Sequence, residues 1–338
     1  QWLIHPEHTL TARVMVNRIR QHHLGEGLAQ NPNNFVASGK KPTHPELLDW
    51  LVREFVENNY SVKYLDKLIM TSEVYRRSSD HPEMEKVRLK DPDNHYLSYF
   101  SPRRLDAEEI RDAMLIISQE LNPEMGGMPI RPEIPLEVAL QPRHTMGSVS
   151  PAYQPCRTPE ERNRRSIYIE RKRAVENPML QVFNQNTSDF SCEQREASTV
   201  VTQAFTLLNS PNTRARAIAL AKSICQADNE VEEQIVKAHQ HILQRDPTDA
   251  EAEAAATFLH EAIEFHQKNA PIKTEYPAHV EHEMFEEMTG EPFVFREHLE
   301  IYENYIPDVQ DSDVDFKVRA LADYVVVLFN TNEFMYVY

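Results

Sequence analysis

The sequence predicts a mainly α-helical fold, an irregular multi-helix domain with long proline-rich loops and at most a minor β-hairpin. Three observations carry this expectation. Glycine supplies only 7 of the 338 residues, well under the roughly 7% of average usage, which disfavours glycine-rich sheet folds and phosphate-cradling loops. Apolar residues recur at helical spacing, and several of these stretches open on a helix-start signal. Prolines gather where the helical period lapses. A mean hydropathy of −0.58, with no apolar run near twenty residues, leaves no membrane-spanning segment.

The elements follow in order. Arg13 and Asn17 stand one turn apart among Val14, Met15, Val16 and Ile19, so a helix would bury polar groups that then need partners. Glu46, Asp49, Glu108 and Asp112 are candidates. In Thr43-His44-Pro45-Glu46 the threonine hydroxyl is placed to cap a helix whose Leu47, Leu48, Leu51 and Phe55 form one apolar face. Ser61 opens the next helix after the link Asn58-Asn59-Tyr60, which predicts a helical hairpin. A third helix is expected from Leu105 to Leu121.

Residues 122–163 read as a long irregular segment, prolines and the Gly126-Gly127 pair replacing periodicity. Ser166 to Ile169 alternates like a short strand. Helical patterns return near 178–183, 197–208 and 212–226. Thr248 to Glu251 forms a capping box ahead of an alanine-rich helix reaching Lys268. Residues 270–292 read as linker-like, and Val314 to Phe329 as a final apolar helix. The expected organisation is a main helical domain over 1–268 and an acidic C-terminal extension over 269–338 packed on it.

Charge is distributed unevenly. From Asp228 onward the chain holds 25 acidic and 7 basic residues, whereas residues 1–227 are nearly balanced, against a total of −17. Such a balance disfavours nucleic acid and anionic membranes, and suits cations, basic partners or simple solubility. Within the basic run Arg157, Arg162, Arg164, Arg165, Arg171, Lys172 and Arg173, the interspersed Glu160, Glu161, Glu170 and Glu176 point to internal ion pairs. An anionic ligand is the alternative. Cys156, Cys192 and Cys225 contain no CxxC pair and no CxxCH haem-attachment site. A Cys156–Cys192 disulfide and three free thiols both fit. The opening Gln-Trp-Leu-Ile reads as the start of a piece of a longer polypeptide.

Four blocks in order carry a family resemblance. They are Leu10 to Ile19, continuing to Leu28; Pro42 to Leu51, with Lys63, Leu68 to Met70 and Ser72 to Ser78; Arg103 to Ala113, running on to Gly126-Gly127; and Arg164 to Tyr168, with Arg195 to Thr199 and Gln203 to Asn209. Together they resemble the planctomycete cytochrome-associated domain of unknown function called PSD-one, from Leu10 to about Leu259, and the closing Phe329 to Phe334 is similar to that family's end. The chain departs from the family where Arg20 replaces Trp, Gln119 replaces Gly and Asn184 replaces Asp. The resemblance implies the C-terminal domain of an exported protein, periplasmic, cell-surface or secreted, often behind a cytochrome-like domain, with no activity assigned.

Candidate site residues fall into three sets. Arg13, Asn17, Arg18, Arg104, Arg111, Arg164, Arg165 and Arg195 are candidates for ligand or partner binding, and Arg13, His44, Asp49 and Arg111 for lining an anion or carbohydrate pocket. His44 is the candidate general acid or base, with Glu46 or Asp49 beside it. Asp311, Asp313 and Asp315 mimic the opening of a calcium loop, although Phe316 replaces its glycine and Ala322 its bidentate glutamate. His279, His282, Glu283 and Glu286 would share one face of a continuous helix and so could offer a metal site. No GxSxG elbow or HExxH pair occurs. The leading expectation is an interaction or substrate-docking domain of a larger exported, redox-linked or cell-envelope assembly. It would carry no cofactor of its own beyond a possible calcium, and would have protein partners, upstream cytochrome-like domains or carbohydrate. The alternatives are a polysaccharide-directed hydrolase or lyase using His44 and Asp49, and an electron-transfer domain holding a neighbour's cofactor.

Overall fold

A computed structural model describes residues 2–5, 8, 10–35, 38–141, 143–145, 148–172, 175–195, 198–227 and 230–338. Arg173, a member of the basic run, lies outside the described residues. The fold is mainly α, about half helical, and among the described residues the sheets are small, two-stranded and antiparallel. The chain divides into two compact units, residues 1–104 with 191–196 and 336–338, and residues 105–190 with 197–335. Among the described residues no helix is long and apolar enough to cross a membrane.

The first unit is built on α1 (Thr11–Leu24), α2 (Pro45–Glu57) and α3 (Val62–Met70), followed by the short α4 (Met84–Lys90). Ala12, Val16 and Ile19 of α1 pack with Leu48, Leu51 and Phe55 of α2 and Leu65 and Ile69 of α3 in one buried cluster that also takes Leu28. Of the apolar face read for α2, Leu48, Leu51 and Phe55 fill this core while Leu47 remains exposed. Ser61 caps α3 as expected, its hydroxyl accepting from the Tyr64 amide at 3.2 Å. The cap expected at Thr43 does not form. With Pro45 as the first helical residue, His44 occupies the cap position and Glu46 falls one place short of reaching back. Thr43 instead donates its amide to the Leu28 carbonyl at 2.9 Å, and its hydroxyl donates to the same oxygen.

Asn17 is completely buried. Its amide closes both bonds to one backbone residue, Nδ2 donating to the Ala29 carbonyl at 3.0 Å and Oδ1 accepting from the Ala29 amide at 2.8 Å. Arg20, also buried, donates to the Glu26 carbonyl at 2.7 Å, and burial lowers its pKa to about 10. Arg103–Arg104 pairs antiparallel with Tyr336–Val337.

In the second unit α5 (Ala107–Ile117) opens on a capping box, Glu109 accepting from the Asp106 amide at 2.8 Å. Gln119, just past its end, has φ +62. That left-handed conformation favours glycine, which accounts for the glycine of the resembled family. Asn184, at φ +60, retains a residue type that tolerates the same region. Among the described residues of 122–163 the regular structure comprises α6 (Leu136–Ala139), a backbone pairing of 143–145 with 148–150, α7 (Pro159–Arg162) and single bridges from Asn122 to Arg164 and Ile130 to Ile169. Ser166–Tyr168 is a 3₁₀ turn instead of the expected strand. The Asp112 carboxylate bends the chain there by accepting from both the Ser166 amide, 2.8 Å, and its hydroxyl, 2.6 Å.

Next come α8 (Pro178–Val182), α9 (Val201–Asn209), α10 (Pro211–Ala227), α11 (Val231–Leu243) and α12 (Asp249–Lys268). The Thr248 capping box forms as read, with the Glu251 amide donating to the Thr248 hydroxyl at 3.3 Å. After α13 (Phe316–Phe329) and α14 (Asn332–Met335) the chain leaves this unit. Ten of the fourteen α13 residues are buried, and it packs on α10 and α12.

Residues 279–298, largely assigned to a linker-like stretch, form a β-hairpin, with His279–Phe285 paired antiparallel to Pro292–His298. Strand alternation therefore replaces the helical face proposed for a metal. His282 is buried, His279 and Glu283 point outward, and Glu286 lies in the turn.

His239 of α11 is 1% exposed. Its Nε2 lies 2.7 Å from the Tyr324 hydroxyl, and its Nδ1 has no partner. Burial lowers its pKa below the ordinary 6.5, with Arg245 reinforcing and Glu251 and Glu333 opposing. The folded state thus holds a neutral imidazole that the unfolded chain would protonate first. Its stabilisation is complete above pH 6.5 and is lost as the pH falls through the lower folded value. Thermal melts from about pH 5 to 8 should show stability dropping on the acid side, and His239→Gln should shrink that drop. An unchanged acid slope in the variant would remove His239 from the account.

Candidate functional site

The candidate residues of the first unit are mostly engaged by partners within that unit. Arg13 pairs with Asp49 at 2.5 Å, both side chains partly exposed. His44 Nδ1 is 3.1 Å from the Thr43 hydroxyl, and its ring meets Tyr96 edge-on at 5.8 Å. Asp49 is thus turned to Arg13, and Glu46 is exposed on the first turn of α2. Arg18 donates to Asn33 Oδ1 at 2.6 Å, Arg104 lies 5.7 Å from the Tyr336 ring centre, and Arg195 is half-buried in the 191–196 segment.

In the second unit the arginines serve the chain itself. Buried Arg111 donates to the carbonyls of Arg162, 2.8 Å, and Arg164, 3.0 Å, and to the Ser166 hydroxyl, 3.1 Å. Burial lowers its pKa to about 10. Arg164 donates to the carbonyls of Glu124, Gly126 and Met128 and lies 4.3 Å over the Tyr168 ring. Arg165 is 3.6 Å from Asp112. Arg111 and Arg164 thus hold the irregular 122–163 segment by backbone carbonyls of Arg162, Glu124, Gly126 and Met128.

Beneath them is an ionic cluster. Asp308 receives Arg162 at 2.7 Å and Arg216 at 2.9 Å, and Arg216 also pairs with Glu120 at 2.6 Å. Burial opposes ionisation of Asp308, yet Arg216 and Arg162 outweigh it and hold the carboxyl below its ordinary value. Glu133 accepts from the hydroxyls of Tyr276 and Tyr305 and lies 4.0 Å from Arg162. Burial first, and then the Glu133 charge, push both phenols well above their ordinary pKa, so they stay neutral donors.

Glu133 also borders a cleft of about 490 Å³. Ile134, Pro135, Pro178, Met179, Val182 and Phe205 give it an apolar lining, and Asn177, Thr202, Thr206, Asn209, Ser210 and Asn212 a neutral polar one. The walls follow from local sequence. Asn177 Oδ1 caps α8 by accepting from the Met179 and Leu180 amides. Asn209 donates to the Phe205 carbonyl at 2.8 Å, and Asn212 to the Glu133 carbonyl at 2.6 Å. Glu133 is the only ionisable side chain in the lining, and both its oxygens are engaged by phenols. The lining thus offers apolar surface beside neutral amide and hydroxyl groups, with one carboxylate already hydrogen-bonded through both oxygens.

The three calcium-loop candidates have separate partners. Asp311 takes Arg214 at 2.5 Å, Asp313 accepts from the Gln310 amide at 3.0 Å, and Asp315 caps α13 through the Lys317 and Val318 amides. Among the described residues no group of three or more His, Cys, Asp or Glu is arranged to hold a metal ion. All three cysteines are free thiols, and burial raises the pKa of Cys225 to about 11.

Sequence reasoning missed Asp308, Arg216, Glu133 and the cleft. Arg162 and Asp308 are 146 residues apart, so no local spacing signals their contact. A family model, PSD1, described as a protein of unknown function (DUF1553), matches residues 1–259. No curated protein and no solved structure matches the chain.

Proposed function

We propose, from the premise that the chain belongs to the PSD1 family of proteins of unknown function (DUF1553), that it is a binding domain whose cleft over α8 and α9 takes a neutral carbohydrate. The observation that carries this reading is the composition of the cleft. Phe205, 58% exposed, stands among Pro135, Pro178 and Met179 as a surface for the C–H face of a sugar ring. The bonds made by Asn177, Asn209 and Asn212 each use one end of the amide, leaving the other ends for hydroxyl groups. A phosphate or carboxylate ligand would find no cation in this lining.

The wider setting rests on the resemblance to planctomycete cytochrome-associated domains. On that basis the domain docks substrate or partner proteins within an exported, redox-linked or cell-envelope assembly, and needs no cofactor of its own. Cell fractionation of the source organism tests the location.

Calorimetric titration with a series of neutral oligosaccharides tests the cleft. Binding by at least one member is expected, with Phe205→Ala weakening it about tenfold or more and leaving the melting temperature nearly unchanged. No binding across the series, or binding indifferent to Phe205→Ala and Asn209→Ala, would overturn the reading.

A further inference from the structure

The β-hairpin carries a surface that the cleft does not explain. Residues directly opposite one another in its seven-pair register share a face. On the inner face His282, Met284 and Glu297 are buried. Glu297 accepts from the Ala152 amide at 2.9 Å and lies 3.6 Å from His282, so this face anchors the hairpin within its unit. The outer face, beginning with the pair His279 and His298, is exposed along its whole length.

That outer face is divided. Towards the turn, Phe285, Pro292 and Val294 are neighbours in register, and Phe285 and Val294 are 64% and 65% exposed. Met288 in the turn is 91% exposed. Towards the base stand Glu281, Glu283 and Arg296. Apart from the inward Glu297, residues 279–298 hold five glutamates against one arginine. The turn is braced, the Glu286 carboxylate accepting from the Met288 amide at 2.9 Å and the Thr289 amide at 2.6 Å, with Gly290 at φ +72. The apolar side chains are therefore presented on a built platform, which lowers the ordering cost of binding.

We propose that this outer face is a docking surface for a basic polypeptide segment bearing an apolar stripe. The apolar half supplies burial, and the surrounding carboxylates supply charge complementarity and a rapid, salt-sensitive encounter. A second copy of the chain fits poorly. Each copy carries a net charge of −17, and a few side chains fall short of the roughly 800 Å² per partner of a standard interface. An anionic bilayer would be repelled by the same glutamates.

The test uses the whole chain and a labelled synthetic peptide with lysines on one face and leucines on the other, read by fluorescence anisotropy. Two controls match it: the same leucines with glutamates, and the same lysines with serines. The basic amphipathic peptide is expected to bind at least about tenfold tighter than either. F285S/V294S should lose at least about tenfold, and E281Q/E283Q should flatten the salt dependence while α-helical circular dichroism stays unchanged. Equal binding of the acidic and basic peptides, or binding untouched by F285S/V294S, overturns the proposal. So does concentration-dependent self-association of the chain that F285S/V294S abolishes, since the face then belongs to a second copy.

Discussion

Asp308→Asn is expected to cost about 3–5 kcal/mol, because it leaves two buried guanidinium groups without their shared counter-charge. Arg162, Arg216 and Asp308 are 1%, 4% and 7% exposed, so water cannot take over the lost contacts. Asparagine can still accept one hydrogen bond, but it cannot balance Arg162 at 2.7 Å and Arg216 at 2.9 Å together. At roughly 2–4 °C per kcal/mol for a unit of this size, the melting temperature should fall on the order of 10 °C. The amides of Ile306, bonded to the Arg157 carbonyl, and Cys156, bonded to the Arg131 carbonyl, should lose hydrogen-exchange protection first.

The pH dependence has a definite sign. The Asp308 carboxyl is held below its ordinary 3.8. Its contribution is therefore complete above that value and disappears as the pH falls through the lower folded value. The gap between wild type and Asp308→Asn should narrow in acid. A loss below about 1 kcal/mol, within the range of an ordinary exposed ion pair, would mean that the cluster does not hold the irregular segment.

What was legible in the sequence was local. The buried positions Leu48, Leu51 and Phe55 of α2, the Ser61 cap, the Thr248 box and the α12 terminus at Lys268 depend on residues within a few turns of one another, and they formed as read, whereas Leu47, read as part of the same face, is 40% exposed. The failures involved competition between local signals or contacts from far away. Pro45 displaced the Thr43 cap by one residue. Asp112, more than fifty residues upstream, turned an apparent strand at Ser166 into a 3₁₀ turn. His279, His282, Glu283 and Glu286 satisfied a helical spacing, but the alternation of His282 and Met284 with outward residues prevailed. Arg162 and Arg164 were visible in a run, whereas the carbonyls that Arg164 reaches carry no residue signature and the Asp308 carboxylate of Arg162 lies 146 residues away. The cleft draws its walls from 133–135, 177–182 and 202–212, segments that only the tertiary fold brings together.

Asn17 and Gly27 should show strong non-additivity. Asn17→Ala leaves the amide and carbonyl of Ala29, itself 2% exposed, without the partners now at 2.8 and 3.0 Å. Two buried unsatisfied groups cost roughly 2–5 kcal/mol together. Gly27→Ala fails for a different reason. A Cβ there would lie 2.4 Å from Asn17 Nδ2 and 2.7 Å from Oδ1, and the three atoms nearest to it all belong to the Asn17 side chain. The overpacking should cost roughly 1–3 kcal/mol, by forcing Asn17 out of its bonds to Ala29. Once Asn17 is alanine the obstruction is gone, so Gly27→Ala should be nearly neutral in that background, its methyl entering space the amide has vacated. Urea unfolding of the two single variants, the double variant and the wild type tests this as a cycle. The double variant is expected to be about as stable as Asn17→Ala alone. If its loss equals the sum of the single losses, Gly27 is required by something other than Asn17, and the paired fit of these two residues does not explain the latch between α1 and the turn that follows it.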